Sequence, residues 1–145
     1  MLTLKMITEE TDRVIRGLEK KHFKGAKESI AKVIELNDKR RSTQNQLDTN
    51  LAEVNSLSKT IGGLMKEGKK EEAEAAKKRV AEIKELSKGI QAEMDQAAEE
   101  MQNLLYTIPN VPYDEVPEGV AAEDNVVEKM GGMETELPKD ALPHW

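Results

Sequence analysis

Between Ala26 and Tyr106 the apolar residues recur in alternating three- and four-residue steps. Before the cluster Lys66-Glu67-Gly68-Lys69-Lys70 they are Val33, Leu36, Leu47, Val54, Leu57, Ile61 and Leu64. After it they are Ala73, Ala76, Val80, Ile83, Ile90, Met94, Ala97, Met101 and Leu104. That spacing keeps one seam of a helix turned toward a partner. It predicts two long helices, over about 26–66 and 71–106, joined by a corner near 67–70.

The two series also predict their own register. In an antiparallel hairpin, facing positions have numbers that add to a constant. Leu64 with Ala73, Ile61 with Ala76, Leu57 with Val80 and Val54 with Ile83 all give 137. Continued at that value, Asn50 faces Ser87, Leu47 faces Ile90, Thr43 faces Met94 and Arg40 faces Ala97. Leu36 then faces Met101, and Val33 faces Leu104. A polar residue thus meets a polar residue at Asn50 and Ser87, as expected of two helices of one hairpin. Each arm of about 40 residues spans roughly 60 Å at helical rise. Arg40 is the odd seam residue; its stem is expected to pack on Ala97 while its guanidinium reaches out to Glu93 or Glu100.

On either side of the hairpin the pattern changes. Residues 4–22 read as a short helical segment, with Thr8 as N-cap and Glu9, Glu10 and Asp12 well placed against the helix dipole. Gly25 marks a break before the long helix. Leu2, Leu4, Ile7, Val14, Leu18 and Phe23 are expected to pack on Ile30, Ile34, Leu104, Leu105 and Ile108 at the hairpin's base. All five prolines, Pro109, Pro112, Pro117, Pro138 and Pro143, follow Ile108. They exclude helix over most of the tail, although Val111 to Val127 has the composition for a short strand or two. The fold class is therefore all-α: a long antiparallel two-helix coiled-coil hairpin, a short N-terminal helical segment at its base and an extended Pro-rich C-terminal tail. Residues 1–108 form the helical arm domain. Residues 109–145 read as a linker and the start of a further domain, cut off at Leu-Pro-His-Trp.

Composition agrees with a rod more than with a compact core. Hydrophobic residues make up 37% of the 145, charged residues 34%, and there is one Phe; a two-helix seam needs only a narrow apolar stripe. The absence of Cys fits a reducing compartment. With no apolar run of membrane-spanning length and no signal-peptide layout at the N-terminus, the expected setting is soluble and cytoplasmic, without a membrane partner. The net charge of −6 is unevenly spread. Residues 1–26 hold six Lys or Arg against four acids, residues 27–106 hold 14 against 15, and residues 107–145 hold two against nine. The acidity lies mostly in the tail, which leaves the near-neutral hairpin free to present basic clusters to phosphate.

No catalytic, cofactor-binding or metal-binding constellation is legible. His22 and His144 stand apart without ligand-spaced partners, phosphate-cradling Gly-rich loops are missing, and Glu71-Glu72 and Glu99-Glu100 are simplest as solvated helix faces. Lys59 and Lys66 share one exposed face by their seven-residue spacing, while Lys69, Lys70, Lys77, Lys78 and Arg79 cluster about the tip. Two readings stand: ordinary helix solubility with intrahelical ion pairs, or a surface that tracks phosphates without reading sequence. Gly62-Gly63 costs about 0.5–1 kcal/mol per residue in a helix interior and lies off the seam. It fits either local flexibility or close approach of another molecule's backbone.

Arm and tail together resemble a known family. Arg40-Arg41 enters the arm, Asn55-x-x-Ser58-Lys59-x-Ile61-Gly62 and Lys66-x-Gly68 follow toward the tip, and Met1-Leu2 opens the chain. The tail carries Ile108-Pro109-Asn110-Val111-Pro112, Val116-Pro117-x-Gly119 and Asp124-Asn125-Val126. In order and spacing these are similar to the N-terminal region of bacterial-type seryl-tRNA synthetases, across essentially the whole chain. Val54 departs from an Arg usual before that Asn, and Lys129-Met130-Gly131-Gly132 departs from an Arg-x-Trp-Gly-like run.

The resemblance implies a class II aminoacyl-tRNA synthetase whose coiled-coil arm holds the long variable arm and elbow of serine tRNA. It also implies a homodimeric parent enzyme, and a catalytic domain of the same chain that binds ATP, magnesium and serine. No cofactor is expected within these 145 residues. On this view Lys59, Lys66, Lys69, Lys70, Lys77, Lys78 and Arg79 contact phosphate, Asn55 and Ser58 are neutral donors, and Gly62 permits close approach. The alternative is a coiled-coil spacer or protein-interaction module without RNA binding.

Overall fold

The alternating seam does fold back on itself. The computed structural model describes residues 2–132 and 140–142; Met1, Pro138, Pro143, His144 and Trp145 lie outside the described residues. In chain order the elements are α1 (Leu4–Glu9), α2 (Thr11–Lys20), α3 (Ala26–Lys66) and α4 (Lys70–Thr107), then a 3₁₀ turn at Ala122–Asp124. Helices α3 and α4 form the antiparallel hairpin, and α1 and α2 pack at its base. The register is the expected one: Asn50 Nδ2 donates to Ser87 Oγ across the seam at 3.0 Å.

The corner is a Schellman motif. Lys69 N–H donates to Leu64 O at 3.0 Å and Gly68 N–H to Met65 O at 3.4 Å, with Gly68 at φ +78°. A residue with a Cβ is disfavoured in that left-handed conformation, so the helix ends where the glycine stands. Glu71 and Glu72 open α4, where acidic side chains favour the dipole. The end of α2 uses the same device without a glycine. His22, at φ +55°, holds the left-handed position, and Phe23 N–H donates to Leu18 O at 3.0 Å.

Among the described residues the only core more than two helices thick is at the base. Ile7, Val14, Leu18, Ala26, Ile30, Val33, Leu36, Ala97, Met101 and Ile108 are buried there, with Leu2, Leu4, Phe23, Ile34, Leu104 and Leu105 packed around them. Farther out each seam residue has a single partner helix. Ala73 and Ile83 are the buried apolar residues of the distal arm, while Leu57, Ile61 and Val80 are half-buried.

Four local expectations are corrected. Residues 4–22 form two helices, not one, interrupted at Glu10. The N-cap of the first is Thr3, whose Oγ1 accepts Met6 N–H at 3.2 Å. Thr8 lies inside α1 and donates to Leu4 O and Lys5 O, both at 3.0 Å. The tail forms no strand among the described residues, because Val111–Val127 has no second extended segment beside it to complete a ladder. Arg40 does not reach Glu93 or Glu100. Its Nη2 donates to Asn37 Oδ1 at 3.3 Å, its Nε is buried without a partner, and Lys39 pairs with Glu93 at 4.0 Å instead.

The tail binds the base through named contacts. Asn110 Oδ1 accepts Leu2 N–H at 3.0 Å, and Arg13 Nε donates to Asp114 Oδ1 at 3.2 Å. Lys20 Nζ donates to Asp114 O at 3.2 Å. Val111 lies so close to Gly17 that a Cβ there would collide with its Cγ1. The guanidinium of Arg13, between Glu10 and Asp114, is held above its ordinary pKa by those hydrogen bonds.

Candidate nucleic-acid interface

Once the seam is fixed, helical geometry sorts every other residue of the arm onto a back or one of two flanks. Among the described residues two ion pairs join α3 to α4, Arg79 Nε to Glu53 Oε1 at 3.1 Å and Lys39 Nζ to Glu93 Oε2 at 4.0 Å. Both join positions whose numbers add to 132, so both lie on the same flank. The opposite flank joins positions adding to 142, such as Leu51 with Gln91 and Ser58 with Lys84. There Leu51, Lys84, Lys88 and Gln91 line one groove.

From the Asn50–Ser87 layer to the tip the two flanks differ in charge. The flank of Leu51 carries Lys70, Lys77, Lys84 and Lys88 against Glu74 alone. The other carries Glu53, Glu72 and Glu82 against Arg79. Arg79 is neutralised there by Glu53 at 3.1 Å and Glu82 at 3.8 Å. The near-neutral total of the hairpin thus conceals a basic flank and an acidic one.

The residues singled out from sequence separate accordingly. Asn55, Ser58, Gly62, Lys70 and Lys77 lie on the basic flank. Lys59 and Lys66 run along the back of α3, and Lys78 along the back of α4, at the two shoulders of that flank. Lys69 lies in the corner, paired with Glu67 at 2.9 Å. Arg79 lies on the opposite flank and is not brought together with the others. Lys77 is tied to Glu74 at 2.7 Å, whereas Lys59, Lys66, Lys70, Lys78 and Lys84 take part in no ion pair among the described residues. Ser58 Oγ donates to Val54 O at 2.7 Å and retains only acceptor capacity for a ligand. A Cβ on Gly62 or Gly63 would meet nothing within 4 Å, so packing within the arm does not require either glycine.

Sequence reading missed Lys84 and Lys88. Proximity to the tip selected the lysines it did find, whereas membership of the flank depends on register; the value 142 places Lys84 opposite Ser58, and Lys88 follows one helical turn along the same flank. Among the described residues no group of His, Asp or Glu is arranged to hold a metal ion. No helix among them is long and apolar enough to cross a membrane.

What the flank can do chemically is bind a polyanion: exposed ammonium groups spaced along a straight rod, with few carboxylates between them. The chain is 32% identical over its whole length to a serine–tRNA ligase of Salinibacter ruber, of which it covers 34%. Over 91% of its length it is 36% identical to a serine–tRNA ligase of Rhizobium etli, covering 30% of that protein. A serine–tRNA ligase of Chloroflexus aurantiacus is 33% identical across the whole chain, which covers 33% of it. The chain thus spans about a third of the length of these relatives. Residues 1–112, which hold the hairpin, its helical base and the first residues of the tail, match the seryl-tRNA synthetase N-terminal domain, and the chain belongs to that family.

Proposed function

We propose that the hairpin is the tRNA-binding arm of a serine–tRNA ligase and that its basic flank receives the RNA. Family membership supplies the class of partner, and the segregation of lysines from glutamates onto opposite flanks supplies the direction of approach. Lys59, Lys66, Lys70, Lys78 and Lys84 offer unpaired ammonium groups to phosphate. Lys69 and Lys77 are in exposed ion pairs, worth about 0–1 kcal/mol, which they can exchange for phosphate at little cost. Gly62 allows the backbone of α3 to approach the RNA closely, and Asn55 offers a neutral donor beside it. The partner is serine tRNA, held by its long variable arm and elbow, while a catalytic domain farther along the chain carries out the ATP- and magnesium-dependent attachment of serine. The parent enzyme works as a cytoplasmic homodimer.

Contacts of this kind position an RNA by charge and shape without reading its bases. Titrating the chain with serine tRNA, intact and lacking its variable arm, tests the proposal. The intact tRNA should bind more tightly, and Lys59→Glu with Lys66→Glu should weaken it. Equal binding of both tRNAs, or binding indifferent to those reversals and to salt, would refute it. In that event the hairpin is a spacer or a protein-interaction module.

A further inference from the structure

Two exposed leucines stand beside the polar layer. Leu51 is the residue after Asn50 and Leu86 the residue before Ser87, so in the antiparallel hairpin both lie at one height on the rod, on opposite flanks. They are 59% and 61% exposed. Singly, an exposed leucine is ordinary; what distinguishes this pair is the charge around each. The groove at Leu51, of about 490 Å³, sets Leu47, Leu51 and Val54 beside Lys84 and Lys88, with no acidic residue in its lining. The groove at Leu86, of about 700 Å³, sets Leu86 and Ile90 among Glu82, Glu85 and Glu93, with Arg79 as the one base. Two lysines against no acid give the first lining a charge of +2, and three glutamates against one arginine give the second −2. Gly89 lies in the second groove beside Leu86. A Cβ there would meet nothing within 4 Å, so packing within the arm does not require a residue that weakens its helix. It leaves the backbone next to Leu86 open to close approach.

An apolar centre with a basic rim on one flank and an apolar centre with an acidic rim on the other, at the same height, make each flank the complement of the other. Like flanks do not suit each other, since lysines would face lysines, and this disfavours a two-fold pair through either flank. What fits the basic flank of one copy is the acidic flank of another. With two arms side by side and pointing the same way, Leu86 of one reaches the Leu51 groove of the other. Lys84 beside that groove then stands within about 3 Å, along the rod axis, of Glu53 and Glu82 beside that leucine. The ion pairs already on these residues, Lys88 with Glu85 at 2.9 Å and Arg79 with Glu82 at 3.8 Å, are exposed and exchange at little cost. We propose that the arms of two copies of this chain associate laterally, Leu86 of one copy filling the Leu51 groove of another. The contact is heterologous, so a pair keeps one free groove and one free Leu86, and further copies extend it. It does not depend on RNA binding, and it covers the flank assigned above to RNA.

Sedimentation equilibrium of the 145-residue chain without RNA tests the proposal. At low salt the weight-average mass should climb above 16.2 kDa as concentration rises, and it should return toward that value as salt screens the flanks. Leu51→Ser and Leu86→Ser change exposed positions and should leave the helical circular dichroism unchanged. Each should weaken association by about tenfold or more, as expected when a leucine no longer becomes buried. Mixing the two variants separates this contact from any other. Leu51→Ser keeps its Leu86 and Leu86→Ser keeps its groove, so the mixture should associate as tightly as the parent but stop at one-to-one pairs. A chain that stays monomeric at low salt overturns the proposal, as does a mixture no more associated than its components or one that grows beyond pairs. A monomeric chain whose binding of serine tRNA is weakened by Leu51→Ser also overturns it, and gives the groove to RNA.

Discussion

The Asn50–Ser87 layer allows the hairpin's register to be tested energetically. The two side chains meet at 3.0 Å, both half-buried, and Ser87 Oγ passes its own proton to Ile83 O at 2.8 Å. Replacing each by Ala, singly and together, forms a double-mutant cycle in which helix-propensity differences cancel. A neutral, partly exposed hydrogen bond contributes about 0.5–1.5 kcal/mol net, so the coupling energy should fall in that range. Asn50→Leu combined with Ser87→Ala goes further. A leucine fully buried gains about 1.5–3 kcal/mol, and half-burial about half of that. That pair should therefore exceed the parent in stability by about 1 kcal/mol, or about 2–4 °C in Tm for a chain of this size. Urea unfolding followed by helical circular dichroism reads the effect as a shift in midpoint at constant slope. A coupling below about 0.3 kcal/mol, or an apolar pair less stable than the parent, would show that these residues do not face each other across a seam.

Other consequences follow from the base and the tail. Gly17→Ala would gain about 1 kcal/mol at an open helical position, but here the new methyl meets Val111. Overpacking of that kind costs about 1–3 kcal/mol. The variant should show no gain in Tm and faster amide exchange over residues 109–116; a 1 kcal/mol gain with unchanged exchange would contradict the contact. Asp124 Oδ2 accepts the N–H groups of Val120 and Ala121 at 2.9 and 3.1 Å, which hold its pKa below the ordinary carboxylate value of 3.8. A depressed pKa means that the stabilisation is present above the ordinary range and is lost as pH falls through the folded-state value. The amide resonances of Val120 and Ala121 should therefore titrate together in NMR, with a midpoint below 3.8. A midpoint at or above that value would rule out the capped turn.

Much of the rod was legible in the sequence because a two-helix hairpin is governed by one period and one corner. The seam spacing and the value 137 place Asn50 on Ser87, and Gly68 is the residue able to take the left-handed conformation that ends α3. The base was less legible. Thr3 and Thr8 are both plausible caps, and the acids after Thr8 favour the wrong one; Thr3 prevails because α1 must begin early enough to bury Ile7. Valines between Val111 and Val127 suggest strand by propensity, but a strand exists only with a neighbour to bond, and position along the chain does not reveal one. The basic flank was half legible. Counting lysines near the tip found Lys70 and Lys77 but also collected Arg79, whose charge is satisfied by Glu53 across the hairpin. It passed over Lys84 and Lys88, which join the others only once the register separates one flank from the other.

The claim that one flank of the arm faces RNA is tested most directly by the salt dependence of binding. The slope of log affinity against log salt for serine tRNA should be measured for the parent chain, for Lys70→Gln/Lys77→Gln/Lys84→Gln on the basic flank, and for Arg79→Gln on the acidic one. Each lost phosphate contact reduces the slope by about 0.7–0.9. The basic-flank variant should therefore lose about 2 in slope, with weaker binding at low salt, while Arg79→Gln leaves the slope unchanged. Equal slopes for parent and basic-flank variant, or a loss confined to Arg79→Gln, would contradict the assignment of the face.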